Sequence, residues 1–394
     1  MIALVGADLV LRDRILQQHS LIVREGRIDA IVANGASPAG VTRVVDVAGC
    51  VVVPGFIDVH VHGLEGVDVL DSPTAVSEVA RRLPRYGVTA FCPTSVACAP
   101  ERLHMLLQAT HDARRAPDTR ASRVVGAHLE SNFINPDWNG AQPAACLRTW
   151  SSGATGGTFS ADDVWRVIDA YHADVSIVTL APELPGGLEL VRAVANKGIR
   201  VSIGHSGATY DEAKAAIQAG VRHATHLFNR MSSMTSRSPG VVGAVLDSSE
   251  VTAEIICDGH HVHPSLVGLA IRAKSIAKVM AITDGTAAAG LPTGARARLG
   301  DQDIIAGERT ALLDDGTLAG SILTMDAAFR MLVGQGLPLT DVARLCASTA
   351  AESLGLRDAG QIAEGRRADL VVLDQDYRVR QTYVAGVEAL EPRP

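Results

Sequence analysis

No CxxC pair occurs among the six cysteines, and they are too scattered for the disulfide framework of a short secreted domain. Reduced, mostly buried thiols in a cytoplasmic protein are therefore expected. No apolar run reaches the roughly 18–20 residues of a membrane span; the nearest, VVDVAGCVVVPGFIDV, carries Asp46 and Pro54. The opening residues, MIALVGADLVLRDRILQQHS, lack a basic segment followed by an apolar block, so no signal peptide is expected. Basic residues are not in excess. With 36 Lys and Arg against 43 Asp and Glu, the net charge is −7 and the isoelectric point about 6.0. That balance argues against nucleic acid or an anionic membrane as the main partner, and an anionic substrate would need a local cationic cluster. Internal repeats and low-complexity segments are also missing.

What is present is 394 residues, 47% hydrophobic and 20% charged, the composition of a soluble globular protein. That length suits one large domain with a smaller companion. The first fifty residues read as short Val- and Ile-rich strands broken by Gly and Asp, and the last thirty return to that style in GQIAEGRRADLVVLDQDYRVRQTYVAGVEAL. The two ends together are expected to form a small β-sandwich domain. Between them eight apolar runs alternate with helical ones: GFIDVHVH, VTAFCPT, RVVGAHLE, VSIVTLAPE, IRVSIGHS, VRHATHLF, TAEIICDG and KVMAITDG. The class predicted is α/β, a (β/α)8 TIM-like barrel over residues 53–352, with 1–52 and 353–394 supplying the β-domain. One unit is legible in detail. Thr209 and Glu212 have the spacing of a capping box, Ala213, Ala216 and Ile217 form an apolar stripe, and Gly220 stands where a helix ends.

Polar residues of unusual kind fall at the ends of these strands. In GFIDVHVHG, His60 and His62 project to one face of an apolar strand. His128 and Glu130 end the third strand, His205 the fifth, His226 the sixth and Asp284 the last. Active sites of such barrels lie at the C-terminal strand ends. Imidazoles and carboxylates meeting on apolar strands need a cation or hydrogen-bond partners, and His with carboxylate and an open position suits zinc or iron. Each residue also has a plainer reading: a histidine bonded to backbone, or Asp284 as a helix N-cap. His19, His104, His111, His172 and His223 are assigned that plainer role.

The blocks PGFIDVHVHG, AHLE, TLAPE, GHSGATYDEAKAAIQAGVRHATHLFNRMS, DGHHVHP, ITDGTAAAGLP and GTLAGSILTMDAAFR resemble the amidohydrolase superfamily and, within it, the N-acetylglucosamine-6-phosphate deacetylase family. The resemblance runs from about residue 50 to the end. It implies Glu130, His205 and His226 as ligands of a principal metal, with His60 and His62 serving a second ion that Glu130 bridges. Zinc, with iron as the alternative, would be bound as one or two ions per subunit. Asp284 matches the catalytic aspartate. Ala141, Gln142, Asn229, Arg230, Arg237, His261 and Ala319 match substrate-contacting positions, with Asn229 and Arg230 acting largely through backbone amides and Arg237 gripping phosphate. The resemblance further implies a homodimer in which a neighbouring subunit contributes His261.

Three departures stand out: Ser131 and Asn132 replace a usual Gly-Pro, Arg230 replaces an Ala, and Gly285 and Thr286 replace Ala and Met. Ser131 and Asn132 would add polar atoms beside the acyl site, and Arg230 a second cation. The activity implied is hydrolytic deacetylation of an amino-sugar phosphate, N-acetylglucosamine 6-phosphate first. Its alternatives are the galactosamine isomer or another anionic N-acyl compound, and a non-catalytic scaffold of the same fold.

Overall fold

The computed structural model describes residues 1–33, 40–150 and 158–389; the end of the expected C-terminal segment, 390–394, lies outside them. All eight predicted strands form. They are β1 (Phe56–Val61), β2 (Val88–Ser95), β3 (Ala127–Glu130), β4 (Val175–Leu180), β5 (Arg200–Ile203), β6 (Val221–Ala224), β7 (Thr252–Ile256) and β8 (Val279–Ile282). Each pairs in parallel with the next, and a two-residue strand, Arg123–Val124, also pairs with β2. The strands are apolar because helices cover them outside while side chains fill the barrel inside. Every residue of β1, β2, β3, β7 and β8 is buried.

Closure of the ring falls to the last strand and the first. Just past β8, Asp284 N donates to His60 O at 3.0 Å and His62 N donates to Gly285 O at 2.8 Å. Beneath this seam Asp58, fully buried, accepts from Thr283 Oγ1 at 2.6 Å and from the Thr283 and His60 backbone amides at 3.3 Å. Burial pushes its carboxyl up to about 7 against the pull of those donors. Lower in the barrel, a run of hydroxyls crosses from strand to strand: Ser202 Oγ to Thr225 Oγ1 at 2.6 Å, then Thr179 Oγ1 at 2.7 Å, ending on His128 Nε2 at 2.7 Å.

The unit read in detail forms as expected. Thr209 caps helix Tyr210–Ala219, Glu212 closes the capping box, and Gly220 at φ 138° ends the helix. The small domain is drawn from both termini, in the order Val387–Glu388, Val379–Val384, Leu370–Leu373, Val51–Pro54, Ile2–Val10, Ile15–Arg24, Arg27–Ala33, with Arg43–Asp46 also on Ile2–Val10. These eight strands are hydrogen-bonded into one branched sheet, which carries its own core around Leu4, Leu9, Leu21, Val52, Leu370 and Tyr383. A three-stranded antiparallel sheet after β8, spanning Arg296–Leu299, Gln302–Ala306 and Ala311–Leu313, was not expected; it leans over the barrel mouth, where Gln302 donates to Ala141 O. Of the six cysteines, all free, five are buried and Cys146 is half-buried.

Because Asp58 joins the first and last strands, Asp58→Ala strips acceptors from buried donors. The unfolding free energy, measured by denaturant titration, should fall by about 1.5–3 kcal/mol. Asp58→Asn keeps one acceptor oxygen and should lose less.

Candidate metal centre and cavity

Four imidazoles converge at the barrel mouth, and their outer nitrogens explain how. His62 Nδ1 lies 3.0 Å from Thr94 O, and His205 Nδ1 lies 2.8 Å from Trp138 O. A carbonyl only accepts, so both rings carry a proton on Nδ1 and turn Nε2 inward. His60 Nδ1 faces a carboxylate, Glu254 Oε2, at 3.0 Å, whereas the buried Nδ1 of His226 has no partner among the described residues. The inner nitrogens meet at short range: His60 Nε2 and His62 Nε2 are 3.2 Å apart, and so are those of His205 and His226. Glu130 Oε1 stands 2.9 Å from both His205 Nε2 and His226 Nε2, and Oε2 lies 3.5 Å from His62 Nε2. Asp284 Oδ1 is 3.2 Å from Nε2 of both His60 and His62. Thus Glu130, His205 and His226 form one group able to hold an ion, and His60, His62 and Glu130 a second that shares the carboxylate. Inward lone pairs facing one another at this range, with carboxylates between them, fit a divalent cation.

The electrostatics mark a place that draws in positive charge, and the backbone is held to shape it. Burial opposes ionisation of Glu130, yet His205, His226 and His60 outweigh it and hold the carboxyl well below the carboxylate range. Burial also lowers the His62 imidazole, but its hydrogen bond to Asp284 and the charge of Glu130 push it up to about 9. For His60 burial wins, and its imidazole stays well below the usual value. His205, His226 and Asp284 adopt φ of 48°, 29° and 51°, a region side chains other than glycine seldom occupy. Such conformations cost about 1–3 kcal/mol each and persist where surrounding bonds over-determine them. Here Asn135 N donates to His205 O, Asn229 N to His226 O and Ser321 N to Asp284 O, at 2.8–3.0 Å.

Not every strand-end residue joins the centre. His128 has both nitrogens occupied, Nδ1 by Val59 O at 2.9 Å and Nε2 by Thr179 Oγ1, so it serves the barrel interior. The histidines assigned plainer roles take them: His19 bonds Gln17 O, His111 pairs with Asp174, His104 meets Tyr171, His172 bonds Asp169 O and His223 bonds Ser353.

Above the centre a cavity opens toward solvent. Ala141, Gln142, Asn229, Arg230 and His261 line it, together with Leu299 of the unexpected sheet and Leu318, which follows that sheet. The expected site residues do not all meet at this cavity. His261 lines it from this chain, its Nδ1 held by Asp258 Oδ2 at 2.6 Å and its buried Nε2 unbonded among the described residues. Arg237 sits on an exposed loop and does not line the cavity. Ala319 is buried behind the wall that its neighbours Leu318 and Gly320 form. Ser131 and Asn132 add no polar atoms to the cavity; the hydroxyl donates to Thr179 O at 2.6 Å and the amide to Cys98 O and Cys146 O at 2.8 Å. Gln142 gains a second task. Its Oε1 accepts from Ala97 N at 2.7 Å, which turns Nε2 onto Glu130 Oε2. Glu254 was missed altogether, although an acidic residue inside the apolar run TAEIICDG was the signal that could have found it.

A barrel with imidazoles and carboxylates gathered at its C-terminal mouth defines a metal-dependent hydrolase. The chain belongs to the amidohydrolase family, which matches residues 51–389. It is similar to N-acetylglucosamine-6-phosphate deacetylases from Bos taurus, 37% identical over 96% of this chain and 93% of the relative, and from Bacillus subtilis strain 168, 32% identical over 96% and 94%. It is also 32% identical to N-acetylgalactosamine-6-phosphate deacetylase of Escherichia coli O157:H7, over 94% of each chain. Among solved structures, N-acetylglucosamine-6-phosphate deacetylase from Pasteurella multocida superposes with TM-score 0.90 at 27% identity, covering all of both chains. A mutant of the Mycobacterium smegmatis enzyme in complex with N-acetyl-D-glucosamine-6-phosphate gives 0.88 at 32% identity, over 99% of each chain.

Since Glu130 belongs to both ion-holding groups, Glu130→Ala should strip tightly bound metal more completely than His205→Ala or His62→Ala. Elemental analysis after desalting measures this, and a Glu130→Ala protein that keeps the parental metal content would contradict the shared role.

Proposed function

We propose that the protein hydrolyses the amide of an N-acetylated amino-sugar phosphate, N-acetylglucosamine 6-phosphate first, releasing glucosamine 6-phosphate and acetate. The observation that carries this reading is the set of four inward Nε2 atoms around Glu130 and Asp284, on the floor of a cavity walled by Asn229, Arg230 and His261. In this reading residues 53–352 are the catalytic barrel, with 1–52 and 353–394 forming the β-domain. Glu130, His205 and His226 hold a divalent ion and His60 with His62 a second; zinc is the first choice and iron the alternative. Bound there, the metal supplies Lewis-acid polarisation of the amide carbonyl and acidifies a water.

Asp284 moves the protons. Its Oδ1, beside the His60–His62 pair, accepts a proton from the attacking water and returns it to the leaving nitrogen, without which an amide nitrogen does not depart. Its left-handed backbone and the closure bonds of β1 and β8 fix that oxygen over the centre. The anionic end of the substrate is assigned to the side where Arg230 stands, the one Lys or Arg among the lining residues. His261, its Nδ1 tied to Asp258, offers Nε2 to the substrate. The protein is read as a homodimer, as the resemblance implies; Arg237 lies outside its own chain's cavity. The galactosamine isomer is the second reading, favoured by the similarity to the Escherichia coli enzyme of that name. A non-catalytic scaffold fits poorly, because the ion-holding groups and Asp284 are all present and oriented. No helix among the described residues is long and apolar enough to cross a membrane; a small phosphorylated sugar and reduced thiols suit the cytoplasm.

Amine release measured across N-acetylated hexosamines, with and without a 6-phosphate, tests the substrate; equal rates on phosphorylated and plain sugars would overturn it. On the phosphorylated sugar Arg230→Ala should lose about ten- to a hundredfold in kcat/KM, as expected for about 1.5–3 kcal/mol of charge-assisted bonding, and much less on the plain sugar. Asp284→Asn should keep fold and metal while turnover falls by about 10²–10⁴ or more, since one residue serves two proton transfers. An N-cap would tolerate Asn almost without loss, so a metal-loaded Asn variant with more than about a tenth of parental turnover removes Asp284 as the base.

A further inference from the structure

Beneath the centre, on β7, lies a carboxylate that the proposed chemistry does not use. Glu254 is fully buried; Oε2 stands 3.0 Å from His60 Nδ1, and Oε1 has no hydrogen-bond partner among the described residues. His128 comes within 4.0 Å of Oε1 but already spends both its nitrogens elsewhere. Burying a carboxylate with half its bonding capacity unmet is costly unless a charge nearby compensates for it. The other imidazoles of the centre rest on backbone carbonyls or, for His226, on nothing. Only His60 rests on a carboxylate.

We infer that Glu254 is the positioning residue of the His60–His62 half of the centre. This rests on the reading of the site as a metal centre, though not on any choice of substrate. A cation at His60 Nε2 obliges the ring to carry its proton on Nδ1, and that proton needs an acceptor. Glu254 Oε2 supplies one at hydrogen-bond distance, fixing both the tautomer and the plane of the ring. Its negative charge also makes Nε2 a stronger donor, as a carboxylate behind a ligating histidine does in general. The half-site then has one neutral carbonyl support, Thr94 O behind His62, and one charged support, Glu254 behind His60. Sequence position gives no hint of this pairing, since 194 residues separate the two partners.

The test counts ions and needs no substrate, so it stands apart from a failure of the deacetylase reading. The full-length metal-free protein is titrated with Zn²⁺ against a chromophoric chelator, and in parallel with Co²⁺ while the visible absorption of the bound ion is recorded. The parent should take up two ions. Glu254→Met, similar in volume but with no acceptor, should weaken one of them by about 10–100-fold and leave the other unchanged. Glu254→Gln, which keeps an oxygen for Nδ1–H but not the charge, should fall between Met and the parent. The Co²⁺ spectrum of the affected ion should change in both. A parent that takes up a single ion overturns the inference; so does a Met variant with two ions at parental affinity, or one in which both ions weaken alike, which would mark Glu254 as merely structural. Should the Met variant not fold, the Gln variant decides: a loss confined to one ion supports the role, and unchanged affinities overturn it.

Discussion

The constraint on which the rest of this structure depends is electrostatic. Glu130, Asp284, Glu254 and four imidazoles share a small volume at the end of an apolar barrel, nearly all of it out of contact with water. Groups of this kind are costly to bury one at a time and repel or attract each other strongly at 3 Å. Their placement makes sense as a single cage: carbonyls and a carboxylate outside, aimed at Nδ1; nitrogens and carboxylate oxygens inside, aimed at a common centre. A divalent ion is the simplest guest that satisfies such a cage, and family membership over residues 51–389 agrees with it.

The fold answers the demand for rigidity. Three residues of the centre are held in left-handed backbone conformations that none would choose alone, each pinned by main-chain bonds from neighbouring loops. The seam where β8 returns to β1 runs directly under the site, so Asp58 and Thr283 close the barrel while Asp284, one residue on, faces the cavity. Closing the ring and aiming Asp284 at the cavity are therefore one structural event. The hydroxyl run through Thr179, Thr225 and Ser202 does a comparable job lower down, satisfying His128 and keeping it away from the metal space.

Most of the cavity wall comes from beyond the barrel strands. It takes its cationic residue from Arg230, and part of its apolar side from Leu299 of the added sheet and from Leu318 after it. Ser131 and Asn132, which as bare sequence suggested new polar contacts, instead tie the loop after β3 to the carbonyls of Thr179, Cys98 and Cys146. The same two substitutions thus stabilise the platform under Glu130 rather than change what the cavity touches.

Much was determined by the sequence alone: eight apolar runs ending in His60, His62, Glu130, His205, His226 and Asp284, and a helix bounded by Thr209 and Gly220. These are local signals. A strand buried on both faces is apolar along its length, a capping box spans four residues, and ligands at strand ends stand out against apolar surroundings. What only the tertiary structure decided depends on side-chain direction and on partners far along the chain. Whether Ser131 turns into the cavity or toward Thr179 O is a rotamer choice set by packing. That His261 lines its own chain's cavity and Arg237 does not follows from where two loops come to rest. Glu254 in TAEIICDG reads as an oddity until β7 brings it beneath His60, because alternation along a strand says that a side chain points inward but not what it will meet there.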